Sequence, residues 1–452
     1  MAQSSISVRV LSFNVCLGGR SVDISKVAEA ISASGADVVG LQEAGANVEL
    51  IARLVGWAHF DDRHQVISRW PIAEPSDAAG AYVYVLPEPT AVIAIGNVHL
   101  PSDPYGPYEL LDGLGVEQTL DLERSTRLAT LRQRTDAWTS LVGRGVPLVV
   151  TGDFNVPAHT DWGPGWAEHR AQPMAWPVSE AMTALGFVDT YRMANPKLPG
   201  LTWTYGYPYP HGGEAEPRDR IDFVWALGHD TITDAALVGP AGVPDVVVEV
   251  DPWPSDHLAV VTTMTMKPVE PMPYVAPHAS RVEVGDLLRV RFATPGTPGD
   301  RIGLVPTAAP IDDVLMWVAP MEVDRFGEVT FGTAHLAPGE YDVVLATAAS
   351  EIGRRRIWLV GRGRQPSVAA GFDASSLVVS WQATYGRRFD WVGVYAAGDP
   401  DLENGALAAA ETGATIDGSH SFEGLGDGPF TVRLIGDSSI AILAETGVAR
   451  RV

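Results

Sequence analysis

The chain has 452 residues, 46% of them hydrophobic and 19% charged, and 32 basic against 55 acidic side chains leave a formal charge of −23. Two or three domains are expected from that length, no apolar run reaches the ~18 residues of a membrane span, and nucleic acid is disfavoured as a partner because affinity for its backbone comes largely from Lys and Arg. The single cysteine, Cys16, rules out an internal disulfide and a thiolate-built metal centre, so any metal must sit on oxygen and imidazole.

The opening MAQSSISVRV has no basic segment leading into an apolar one, so no signal peptide is read there and the compartment stays open. SVRVLSFNV then predicts a strand, DISKVAEAISAS a helix and ADVVGLQ a strand, with YVYVL and TAVIAIGNVHL two strands more. TLDLERSTRLATLRQRTDAWTSLVGR has apolar residues at helical spacing and stops at Gly145, where the strand GVPLVV begins. This alternation predicts an α/β domain over residues 1–267. The proline-rich stretch 268–277 reads as a linker.

Beyond the linker, short alternating strands separated by Gly, Pro and Asp predict all-β structure. GDRIGLV resembles RFDWVGV, with 90 residues between Gly303 and Gly393, and GEYDVVL resembles GPFTVRL. The repeat divides this part into sandwich-like modules, 278–362 and 363–452. Neither carries a catalytic cluster, and both read as structural or binding appendages for a polymer or protein partner.

The first domain places polar residues in or at the ends of strand-like runs. Asn14 interrupts LSFNV, Glu43 follows VVGLQ, His99 follows AIGNV, and Asp153 and Asn155 close VVTGDFN. Asp222 sits inside RIDFVW, and Asp256 and His257 precede LAVVTT. One such residue is ordinarily a turn former or a satisfied buried group. A set of them at strand ends points to one rim, since open α/β sheets bind ligands at the carboxyl ends of their strands.

With LSFNV, GLQE, NVHL, GDFN, RIDFV and SDH in that order over residues 8 to about 265, the chain resembles the endonuclease/exonuclease/phosphatase superfamily. That group includes deoxyribonuclease I-type nucleases, bacterial sphingomyelinases and inositol-polyphosphate 5-phosphatases. The resemblance implies a four-layer α/β sandwich with two facing mixed sheets and the site at one end. It implies Asp153 as the base that orients or deprotonates water, Asn155 as a holder of the phosphate, and His99 facing the phosphate or leaving group. His257 would contact the phosphoryl oxygen, held and charged by Asp222. Oxygen-rich ligands suit Mg²⁺ or Mn²⁺, with Glu43 the first choice of ligand and Asn14 and Asp256 supporting it. Cys16 stands where some nucleases of the superfamily carry an acidic residue and is expected to be a small buried apolar group.

The loops after these strand ends are aromatic. Tyr105, Trp162, Trp203, Tyr205 and Tyr207 are expected either to form a wall for a flat ligand or to pack the loops. Of Arg218 and Arg220, one is expected to pair with phosphate and the other to balance nearby acids. The reading is a metal-dependent phosphoric ester hydrolase acting on a small or medium phosphate ester. A nuclease, a sphingomyelinase-type phospholipase and a non-catalytic binding protein stand as alternatives.

Overall fold

The computed structural model of the protein describes residues 4–166, 170, 172–203, 218–318, 325–373, 375–383, 390–400, 405–413, 415–436 and 441–450. The chain divides into two compact units, the first made of residues 1–61, 65–72 and 81–270, the second of residues 62–64, 73–80 and 271–452.

The first unit is built on two mixed sheets. Its strands are β1 (Ile6–Asn14), β2 (Val38–Gln42), β3 (His59–Asp61), β4 (Val66–Ser68), β5 (Ile72–Ala73), β6 (Val83–Glu88), β7 (Ala91–His99), β8 (Leu148–Asp153), β9 (Val188–Asp189), β10 (Asp222–Leu227), β11 (His229–Gly239), β12 (Val246–Glu249) and β13 (Ala259–Met266). One sheet has the order β12-β11-β13-β1-β2-β4-β3 and the other β5-β6-β7-β8-β10-β9. Helices α1 (Ser25–Ser34) and α2 (Val48–Val55) cover the outer face of the first sheet, burying Val27, Ile31, Val48 and Ile51 against Leu11, Phe13, Val39 and Leu41. The remaining helices are α3 (Gly106–Leu111), α4 (Val116–Glu123), α5 (Ala129–Gly143), α6 (Pro177–Ala184) and α7 (Thr190–Ala194). Of these, α5 and α6 lie on the second sheet, at β8 and β9. This is the expected four-layer α/β sandwich.

The one long helix expected near residue 120 is α4 and α5 joined by a π turn, Arg124–Leu128. The buried Glu123–Arg127 pair leads into that turn. Arg127 donates to the Ser102 and Pro104 carbonyls, and Glu123 accepts from the Gly106 N–H, so the pair ties the loop after β7 to the helix.

A strand alternates its side chains between faces, so residues of one parity line the space between the sheets. Val8 and Val10 of β1, Val38 of β2, Ile93 and Ile95 of β7, Val149 of β8 and Val224 of β10 form that inner core. Toward one edge the same parity turns polar: Ser12 and Asn14, Gln42, Asn97 and His99, Thr151 and Asp153, then Asp222. The sheets approach closely there, because a Cβ on Gly40 would lie 1.9 Å from Thr151 Oγ1 and 2.6 Å from Asn97 Oδ1. Only glycine leaves room for the buried Gln42–Asn97–Thr151 hydrogen bonds, 2.7 and 3.0 Å long.

The second unit contains two pairs of sheets, each pair with its own apolar core. The sequence repeat appears as a repeated strand pairing: Arg301–Pro306 lies antiparallel to Gly339–Ala346, and Trp391–Ala396 antiparallel to Phe430–Gly436. Its shared glycine makes room for aromatic rings. A Cβ would stand 2.8 Å from the Trp317 ring at Gly303 and 2.7 Å from the Trp391 and Tyr395 rings at Gly393.

The boundary between the two units falls inside the stretch expected as a linker, and parts of that stretch are paired. Val269 bridges to Val92, and Tyr274–Pro277 is the edge strand of a three-stranded sheet with Tyr274, Val275 and Ala276 buried. Edge positions tolerate the prolines that argued against a strand. No helix among the described residues is long and apolar enough to cross a membrane.

Candidate active site

Register brings strand-end residues together within each sheet. His99 pairs with Asp153 across the parallel β7–β8 ladder, and Asp222 pairs with Asp153 across the antiparallel β8–β10 ladder. In the facing sheet, β13 runs antiparallel to β1, so Asp256 and His257 enter at the end where Asn14 leaves. Asn14 closes the gap: its Nδ2 donates to Glu43 Oε1 and to Asp153 Oδ2, both at 3.0 Å.

Asp153 is the centre of the group. Its Oδ1 accepts the Asn155 N–H at 2.9 Å, while Oδ2 faces Asn14 Nδ2 at 3.0 Å, His99 Nε2 at 3.5 Å and His257 Nε2 at 3.8 Å. His257 Nδ1 lies 2.9 Å from Asp222 Oδ2. Asp153, Asp222 and His257 have ligand atoms all within 4.8 Å of one another. Burial alone would depress the His257 imidazole, but the carboxylates of Asp222, Asp153 and Asp256 outweigh it and hold the ring well above its usual range. In its protonated form the ring would donate from Nε2.

Glu43 leaves β2 with φ +60, and Asn155 leaves β8 with φ +50. Asparagine tolerates this left-handed backbone, whereas a glutamate there is strained and must be held by its surroundings. Gln65 Oε1 does so by accepting the next two N–H groups, Ala44 at 2.9 Å and Gly45 at 3.1 Å. The Glu43 carboxyl accepts from Leu17 N and Asn14 Nδ2 and is raised in pKa chiefly by burial, with Asp256 adding to the rise and His99 opposing it. A divalent cation bound through oxygen fits these residues. The donors are carboxylates and a carboxamide, and among the described residues neither Glu43 nor Asp256 has a lysine or arginine ion-pair partner.

Cys16 is buried as expected, and its thiol is pushed up to about 12, mainly by burial and then by Asp256. Arg220 does not reach a phosphate. Its guanidinium is fully buried and ion-paired to Asp161 at 2.8 Å and Asp189 at 2.5 Å, so it balances acids, and Arg218 is the exposed member of the two. Tyr105 and Trp162 are likewise not a ligand wall. Both are buried and donate to the Asp219 carboxylate, at 2.9 and 3.2 Å. Trp203 is half-buried, edge-on to Tyr105 and tilted against Tyr108 at 5.8 Å. Tyr205 and Tyr207 lie outside the described residues.

Several residues that hold the site were not singled out from sequence. Ser255 Oγ donates to the Asn14 carbonyl at 2.7 Å and accepts the His257 N–H, and Trp253 Nε1 donates to the His257 carbonyl at 2.7 Å. Ser12 Oγ accepts the Gly152 N–H from the facing sheet. Inner parity was the available signal for Ser12, Gln42, Asn97 and Thr151. Nothing local marked Ser255 or Gln65.

The sequence profile of the Endonuclease/Exonuclease/phosphatase family matches residues 11–257, more than half of the chain and all of the strand ends above. The chain belongs to this family. Members of the endonuclease/exonuclease/phosphatase family are generally hydrolases acting on phosphate esters, and they include metal-dependent phosphoesterases and nucleases. The chain is also similar to the Caenorhabditis elegans protein F14F9.5, with 26% identity over 302 residues covering 58% of this chain and 92% of that protein. An endonuclease/exonuclease/phosphatase of Beutenbergia cavernae is 20% identical over 78% of this chain and 100% of its own, with a TM-score of 0.39. The human Nocturnin catalytic domain with bound sulfate is 15% identical over 58% of this chain and 97% of its own, with a TM-score of 0.34.

Proposed function

We propose that the chain is a divalent-metal-dependent hydrolase of phosphate esters that works through a water held by Asp153. The observation that carries this reading is the convergence of Asn14, His99 and His257 on Asp153 Oδ2, with Asn155 fixing the other oxygen. Water donates a proton to Asp153 as its oxygen bonds to phosphorus, and the bond from phosphorus to the leaving oxygen breaks. His257, kept cationic by Asp222, donates from Nε2 to a phosphoryl oxygen whose charge grows in the transition state. Asn155 and His99 orient the phosphate and the departing group. Glu43, Asn14 and Asp256 would hold Mg²⁺ or Mn²⁺, which when bound neutralises charge on the phosphoryl group.

A small or medium phosphate ester is favoured over nucleic acid. The net charge is −23, and Arg220 is consumed internally. The test is a screen of phosphomonoesters, phosphodiesters, single- and double-stranded DNA, RNA and sphingomyelin, with Mg²⁺, with Mn²⁺ and with excess chelator. Metal-dependent turnover of a soluble phosphate ester is expected. Turnover undiminished by chelator would refute the metal assignment, and DNA or RNA cleavage that falls steeply with salt would replace the substrate assignment by a nuclease.

A further inference from the structure

The Asp222–His257 pair joins segments of two different sheets. Asp222 opens β10 in the six-stranded sheet, and His257 lies just before β13 in the seven-stranded one. Hydrogen bonds within either sheet leave the distance between them unset. Thr202 supplies bonds to both. Its Oγ1 accepts the N–H groups of Ile221 at 3.1 Å and Asp222 at 3.2 Å, and its carbonyl accepts the N–H of Leu258, the residue after His257, at 2.7 Å.

Thr202 is 1% exposed and is itself held. Its N–H and that of Trp203 donate to the Asp219 carbonyl at 3.1 and 3.2 Å. The Asp219 side chain in turn takes the Tyr105 hydroxyl and the Trp162 indole, so the loops after β7 and β8 converge on the same point. Burial raises the Asp222 carboxyl to about 6, and the Thr202 hydroxyl is among the groups that oppose that rise. A second threonine bridges the same two strands farther from the pair: Thr190 Oγ1 donates to the Val224 carbonyl at 2.7 Å and meets Thr262 Oγ1 at 2.8 Å.

We propose that Thr202 is a positioning residue that sets the Asp222–His257 distance by bonding the backbone on both sides, an inference that rests on the hydrolase reading and adds a specific residue to it. Its hydroxyl acts through Asp222 and touches no substrate. Thr202→Val keeps the shape and removes the acceptor, Thr202→Ser keeps the acceptor, and Thr190→Val removes a comparable bridge away from the pair.

Thr202→Val is expected to lower kcat about 10- to 100-fold with KM within about threefold, because small misplacements of catalytic groups carry losses of that order. Thr202→Ser is expected to stay within about threefold of wild type, and Thr190→Val to lower the melting temperature while leaving kcat within about twofold once folded fraction is matched. Equal kcat in Thr202→Val and Thr190→Val, or no recovery in Thr202→Ser, would overturn the proposal. A second readout needs no substrate: the downfield proton resonance of His257 Nδ1, assigned by its absence from His257→Gln, should move in Thr202→Val and stay in Thr202→Ser and Thr190→Val. An unmoved resonance in Thr202→Val refutes the positioning role. If wild type hydrolyses nothing in the substrate screen, the hydrolase reading falls, and the resonance still decides for or against Thr202.

Discussion

Replacing Asn14 with aspartate changes one atom's chemistry at the point where two carboxylates meet. In the native site Nδ2 donates to both Glu43 Oε1 and Asp153 Oδ2 at 3.0 Å, and the residue is fully buried. Each is a hydrogen bond to a charged group, worth about 1.5–3 kcal/mol, so losing both removes about 3–6 kcal/mol before repulsion is counted. The variant can escape part of that by keeping the new carboxyl protonated, which restores one donor. Holding a carboxyl neutral at pH 7 against an ordinary value near 4 itself costs about 4 kcal/mol, so the escape route arrives at a similar loss.

Equilibrium urea unfolding of Asn14→Asp in chelator should therefore show a loss of about 3–6 kcal/mol. In Mg²⁺ the loss should shrink, since a cation at Glu43 would offset the added negative charge. Wild-type stability in chelator would show that Asn14 does not bridge the two acids. An equal loss with and without Mg²⁺ would remove the metal from this end of the site.

Arg220→Met should cost about 3–5 kcal/mol in unfolding experiments, because it leaves Asp161 and Asp189 buried with less compensation; a normal melt with a raised KM would return Arg220 to substrate binding. Gly40→Ala should lose at least about 1–3 kcal/mol, the usual range for overpacking, since its methyl would overlap Thr151 and Asn97. Unchanged stability would mean the sheets stand farther apart than described. Asp219 is raised to about 6, first by burial and against the lowering effect of Arg170. Its folded form thus holds a proton more tightly than the unfolded chain does, so its contribution is most favourable below about pH 4 and is lost as pH rises toward 6, by about 3 kcal/mol. The stability of wild type relative to Asp219→Asn should fall over that interval, and a flat difference would contradict the assigned burial.

The layered α/β architecture was legible because its strands carry apolar runs and its helices carry helical spacing, and because the polar exceptions stand at strand ends. Strand-end position and the ordered motifs drew Asn14, His99, Asp153 and Asp222 to one rim, but the register that pairs the last three and the hydrogen bond by which Asn14 joins them from the facing sheet are visible only in the structure. The boundary between the two units falls within the proline-rich stretch 268–277, while the burial of Tyr274, Val275 and Ala276 at a sheet edge is not visible in its proline content. For Arg220, Tyr105 and Trp162 the sequence leaves two roles open, and the structure gives each the internal one. Long-range partners decide whether a loop cation or aromatic ring faces a ligand or the interior, and Asp161, Asp189 and Asp219 are not recognisable as those partners from spacing. The same holds for Thr202, whose neighbours Asp222 and Leu258 are distant in sequence.

The most direct test of the catalytic account is steady-state turnover of the best phosphate ester from the screen by wild type and Asp153→Asn in saturating Mg²⁺ or Mn²⁺, with unfolding curves run in parallel. A fall in kcat of about 10²- to 10⁴-fold in a folded variant is the predicted result, as for loss of a general base. Turnover by folded Asp153→Asn at the wild-type rate would contradict it.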